Sequence, residues 1–169
     1  MLTIFYGASG VGKNYIGKMY ANKYNCYFYD ADTDLTKQMK QYIRQKKSFT
    51  QKIRDDFFTL IAKQIKSYLI THKHVVVTQA FSQEVNRQQI KTYFPSAVFC
   101  CITTTPNIQI QNIRQRNNEI DEEYLIELNK IQQPPSIGDF VLHNTRNNQN
   151  IDEQLLKFQN FYIKKNKSI

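Results

Sequence analysis

A 169-residue chain carrying a formal charge of +9 suits one domain with a true core, and it is too apolar in its periodicity to be disordered. No run is long and apolar enough for a membrane span, and the β-rich pattern starts at residue 2, leaving little room for a targeting segment. The positive charge points to anionic ligands, yet no DNA- or RNA-binding module pattern accompanies the basic runs Arg44-Gln45-Lys46-Lys47 and Lys164-Lys165-Asn166-Lys167, which read as solvated faces.

The first strand is predicted at 2–6, and Gly7-Ala8-Ser9-Gly10-Val11-Gly12-Lys13-Asn14 follows it directly. Three of the five glycines of the chain fall in this segment. A backbone that turns its N–H groups onto an anion needs them there. The segment fits G-x-x-x-x-G-K-[ST], with Lys13 reaching the β- and γ-phosphates of a nucleotide at the start of a helix over 12–23. Asn14 replaces the hydroxyl residue that would supply an oxygen to Mg²⁺. Its amide oxygen either still serves the metal, or the loop binds nucleotide with little turnover.

Further strands are predicted at 26–29, 74–78, 97–102 and 139–143, and helices at 33–45, 50–71, 82–93, 106–116, 121–133 and 151–163. Alternation of this kind, with near-continuously apolar strands, predicts a three-layer α/β/α sandwich on a five-stranded parallel sheet, the P-loop NTPase fold. The whole of 1–169 then forms a single domain, with a helical substrate-binding region at about 33–71 and a lid at about 115–124. Ligands of such sheets lie at the carboxyl ends of the strands.

After the second strand stands Asp30-Ala31-Asp32-Thr33-Asp34. Asp30 and Asp32 are candidates for the magnesium shell and for accepting the proton of a substrate hydroxyl. The alternative is helix capping, and Asp34 is expected to serve the dipole of the next helix. Arg54 is a candidate anion binder, or else half of an intrahelical pair. Arg87 is a further candidate for substrate contact, against a plain surface role. No acid follows the third strand at Thr78-Gln79-Ala80. Arg114 and Arg116, at the end of a helix, would place cations over a γ-phosphate from a mobile flap, with dipole stabilisation as the alternative. His72, His74 and His143 read as structural. Cys26, Cys100 and Cys101 lack metal-ligand spacing and read as core thiols of a cytoplasmic protein.

Taken together, the loop Gly7–Gly17, the segment Phe28-Tyr29-Asp30-Ala31-Asp32, Arg54, and the run from Ile113-Arg114-Gln115-Arg116 to Gln133-Pro134 resemble the small P-loop kinases of the shikimate kinase and gluconokinase group. The resemblance implies an ATP- and Mg²⁺-dependent transfer to a small hydroxylated molecule by a monomer or homodimer. It also implies Asp32 at the acceptor hydroxyl, Asp30 near Mg²⁺, Arg54 on the substrate and Arg116 in the lid. The chain departs from shikimate kinases in lacking a glycine triplet after strand three, and from gluconokinases in having Glu119 where they carry a lid His. A nucleoside or nucleoside-monophosphate kinase (favoured by Phe57, Phe58 and Phe81), a nucleotide-binding module with little turnover, and a 5′-hydroxyl nucleic-acid kinase are the other readings.

Overall fold

The computed structural model describes residues 1–115 and 120–167, with side chains described through residue 163. Five strands pair side by side: β1 (Leu2–Tyr6), β2 (Tyr27–Asp30), β3 (Val75–Gln79), β4 (Val98–Thr103) and β5 (Phe140–His143). Their order is β2-β3-β1-β4-β5 and every pairing is parallel. The chain reverses direction across the sheet at β1, so the crevice beside its carboxyl end lies between β3 and β4.

Side-chain alternation along the strands builds two cores. Ile4 and Tyr6, Val75 and Val77, and Phe99 and Cys101 face helix α3 (Gln51–Thr71) through Phe57, Ile61 and Ile65. Phe5, Val76, Val98 and Cys100 face the opposite way, onto Ile16 and Tyr20 of α1 (Lys13–Lys23) and Leu155 and Phe158 of α7 (Asn148–Lys167). Both faces of the sheet are therefore dry, and this explains the near-continuous apolar strands.

The remaining helices are α2 (Lys37–Arg44), α4 (Glu84–Tyr93), α5 (Pro106–Arg114) and α6 (Glu122–Lys130). The helix predicted at 33–45 is instead a 3₁₀ turn, Ala31–Asp34, followed by α2. Leu35 separates them, and Thr36 caps α2 by accepting the Met39 N–H at 3.1 Å. Asp34, expected at that helix start, accepts the Tyr29 hydroxyl at 2.5 Å instead. Capping by a hydroxyl residue is a local preference, whereas the Tyr29 phenol is a buried donor that must find an acceptor.

His74 occupies a packed polar cluster. It shares hydrogen bonds with Thr3 Oγ1 (2.9 Å) and Cys26 Sγ (3.1 Å), and its ring stacks on Tyr162 at 5.2 Å. Burial, and secondarily the N-terminal ammonium, pulls its pKa from 6.5 to about 4. The unfolded chain binds this proton first as pH falls, so stability is full above about pH 6.5 and declines down to about pH 4. Thermal melts across that window should show the decline, and His74→Asn should flatten it.

Candidate active site

The phosphate loop leaves β1 under close restraint. Gly7 donates its N–H to Ala80 O at 3.2 Å, and Gly10 and Gly12 hold φ of 81° and 94°. A Cβ at Gly12 would collide with the Asn144 amide, so this position admits only glycine on two counts. Amide side chains pull on the loop from outside. Gln109 donates to Ser9 O and Asn112 to Gly10 O, both at 2.6 Å, and buried Asn144 donates to Val11 O at 2.9 Å. With those carbonyls turned outward, the N–H groups of Ala8–Gly12 have no partner among the described residues. This is an anion nest. Lys13, 7% exposed, spans the loop to Ala8 O at 2.9 Å.

At the exit of β2, Asp30 accepts the Asp32 N–H through Oδ1 (3.1 Å) and the Asn14 side-chain N–H through Oδ2 (2.5 Å). Burial first, then the neighbouring Asp32 carboxylate, raises the Asp30 pKa. Because the Asn14 amide gives its nitrogen to Asp30, its oxygen faces away from that carboxylate, in the polarity a cation needs. Asp32 remains exposed, and its Oδ1 accepts the Gln79 side-chain N–H at 2.8 Å. Gln79 in turn accepts the Ala80 N–H. The end of β3, which lacks an acid, thus carries an amide that orients Asp32. The 3₁₀ turn Ala31–Asp34, with Asp30 as its cap, brings Asp30 and Asp32 together.

Lys13, Asp32, Gln79 and Arg54 open onto one cavity of about 160 Å³. Arg54, 8% exposed, donates to Phe49 O at 3.2 Å and lies 5.7 Å from the Phe49 ring. No carboxylate pairs with it among the described residues, because Asp55 receives Gln51 and Asn86, and Asp56 receives Lys52. Desolvation lowers its pKa. A buried cation without a counter-ion is costly unless a ligand anion supplies one. The intrahelical alternative for Arg54 therefore falls away.

Two predicted residues are placed elsewhere. Arg87 is 1% exposed and faces away from this cavity, donating to Phe81 O (2.8 Å), Pro134 O (2.7 Å), Ser136 Oγ (3.1 Å) and Glu84 Oε2 (3.0 Å). It is a structural clamp, because its donors are taken up by the Phe81 and Pro134 carbonyls, which lie outside helices and strands, and by Ser136 and Glu84. Arg87→Met should cost about 2–4 kcal/mol of stability, from carbonyls left unsatisfied, with the KM for ATP unchanged; denaturant unfolding and initial rates check both. Arg114 is exposed and forms a bidentate pair with Glu122 at 2.5 and 3.1 Å, so it ties α5 to α6 and does not reach the loop. Arg116 and Glu119 lie outside the described residues.

On the far side of the loop, Gly12, Tyr15, Asn112, Asn144 and Arg146 surround a second, polar cavity of about 330 Å³. Arg146 holds φ at 60° and donates to Gln111 Oε1 (3.0 Å) and to Asn112. Gln79, Gln109, Asn112, Asn144 and Arg146 were all missed in the sequence. Asn144 lies 133 positions from the carbonyl it holds, and no local pattern marks such a partner.

An anion nest at the end of β1, a carboxylate oriented at the end of β2 and a shared cavity between them define a P-loop phosphotransferase. The chain belongs to the shikimate kinase family, whose profile matches residues 9–158, and it is an ATP-dependent small-molecule kinase. Among solved structures it is similar to a gluconokinase from Sinorhizobium meliloti 1021 (TM-score 0.79, 14% identity, 96% of each chain). It is also similar to shikimate kinase from Aquifex aeolicus (TM-score 0.60, 18% identity, 95% of this chain and 97% of that one). A third is the APS kinase CysC of Mycobacterium tuberculosis in complex with AMPPNP and APS (TM-score 0.63, 16% identity, 95% and 96%). At these identities the likeness is one of fold. No curated protein matches the chain in sequence. Among the described residues no helix is long and apolar enough to cross a membrane.

Proposed function

We propose that ATP binds with its phosphates in the loop from Gly7 to Lys13, and that the acceptor hydroxyl sits against Asp32 with an anionic group of the acceptor on Arg54. The observation that carries this reading is the shared cavity of Lys13, Asp32 and Arg54. Asp32 takes the hydroxyl proton as the oxygen bonds to the γ-phosphorus, and the bond from that phosphorus to the β,γ-bridging oxygen breaks to leave ADP. Lys13 neutralises charge on the β- and γ-phosphates, and Arg116, outside the described residues, is the candidate for a second cation on them. The base lies in the polar cavity beside Arg146.

Asn14 Oδ1 suits Mg²⁺, a hard cation that keeps several waters, and the Asp30 carboxylate, which accepts the Asn14 and Asp32 N–H groups, suits one of those waters. Bound there, the ion would draw charge from the phosphate oxygens. Asn14→Ala removes both the oxygen and the donor that orients Asp30. It should raise the Mg²⁺ needed for half-maximal turnover by about 10- to 100-fold, while Asn14→Thr stays within a few-fold of the parent; rate against Mg²⁺ concentration decides. A single domain acting in the cytoplasm as monomer or homodimer, with no nucleic-acid partner, completes the proposal. Its thiols Cys26, Cys100 and Cys101 are unpaired, the state of a reducing compartment.

The test is an ADP-release screen over sugar acids, cyclitols, nucleosides and hydroxy acids, with and without Mg²⁺. Acceptor-dependent ADP is the expected result. ATP bound without ADP formation from any acceptor would show a nucleotide-binding module instead.

A further inference from the structure

The acceptor cavity is more apolar than a polyol requires. Besides Lys13, Asp32, Gln79 and Arg54 the lining holds the polar Ser9, Ser48, Ser82, Tyr124 and Gln132, but most of its wall is hydrocarbon and aromatic, Met39, Phe57, Phe58, Phe81, Leu128 and Ile131 among it. Gln79 is already spent on Asp32 and Ala80. A polyhydroxy acid would bury several hydroxyls against these walls, and each left without a partner costs roughly ten- to a hundredfold in affinity. The volume, about 160 Å³, is close to that of an apolar cavity that takes up benzene, roughly 150 Å³. It suits one ring rather than a base with its ribose.

The wall is also built against local preference. Phe81 holds φ at 41°, in the left-handed region that bulky residues avoid, and is fully buried. Its ring stacks on Phe58 at 4.7 Å, and its carbonyl is pinned by Arg87 at 2.8 Å. Backbone strain of this kind persists where the surroundings impose it, and it clusters at ligand sites.

We infer that the phosphate acceptor is a monoanionic alcohol with one ring-sized apolar body: anion on Arg54, hydroxyl on Asp32, ring against the Phe58–Phe81 wall. This rests on the kinase reading above and narrows its acceptor. Transfer forms the acceptor O–P bond, breaks the bond between the γ-phosphorus and the β,γ-bridging oxygen of ATP, and passes the hydroxyl proton to Asp32.

The test compares ADP release with 4-(hydroxymethyl)benzoate and 3-phenyllactate against gluconate, shikimate and neutral benzyl alcohol. Leu128→Gln and Ile131→Gln, both half-buried wall positions, are assayed beside the parent. Expected is a kcat/KM at least about tenfold higher for the two aromatic acids than for gluconate or shikimate, since one misplaced polar contact is worth that much. Each Gln variant should raise the acceptor KM about tenfold with the ATP KM unchanged. A preference for gluconate or shikimate overturns the inference and leaves the kinase intact. Benzyl alcohol as good as the benzoate overturns the anionic part. No ADP from any acceptor, with no calorimetric binding of the benzoate, overturns both readings.

Discussion

Lys13→Met should lower kcat about 10²- to 10³-fold, as loss of one charge-stabilising donor does, while the protein melts within a few degrees of the parent. In the folded chain the ammonium is almost wholly buried and donates to Ala8 O at 2.9 Å. Loss of that neutral hydrogen bond costs on the order of 1 kcal/mol of stability. A cation held inside a ring of outward-turned carbonyls has its largest effect on the phosphates, where charge moves during transfer. Single-turnover ADP formation separates this from weakened ATP binding, which calorimetry reads directly. A kcat within a few-fold of the parent would remove Lys13 from the chemistry.

Asp32→Asn should lower kcat about 10²- to 10⁴-fold, the range for loss of a general base, with the KM for ATP unchanged. The carboxylate is exposed to the cavity and is held by Gln79 at 2.8 Å. An asparagine keeps the shape but presents only one acceptor oxygen, and Gln79 already claims that oxygen. Phosphoryl transfer has a loose transition state that needs little proton removal, so orientation of the hydroxyl is a large part of the effect. Gln79→Leu separates the two contributions. It leaves the base present and unaimed, so the acceptor KM should rise while the pH profile keeps its shape. A fall in kcat of less than tenfold for Asp32→Asn would pass the role to Asp30.

These two residues were also the most legible in the chain. Lys13 sits in a local motif whose spacing reflects one physical demand, a backbone wrapped on an anion, and so it reads directly from neighbouring letters. Asp32 was legible by position, at a strand end, but its direction was not; a 3₁₀ turn capped by Asp30 sets it. Asn14 changed most. Read alone it is a poor substitute for a hydroxyl, but beside Asp30 its amide is oriented with the oxygen turned away from the carboxylate. Arg87 and Arg114 show the opposite failure: an arginine on a helix beside the site looks like an anion binder until carbonyls or a glutamate claim it.

The amino-acid sequence by itself determined the alternation of strands and helices, the single phosphate loop and the class of chemistry, because each depends on residues a few positions apart. The tertiary structure alone decided which amides brace the loop, which buried arginine has no carboxylate partner among the described residues, and how apolar the acceptor cavity is. Those depend on contacts between residues as distant as Val11 and Asn144, 133 positions apart. Close packing and the need to satisfy buried polar groups set such contacts, and neither is a property of any short stretch of chain.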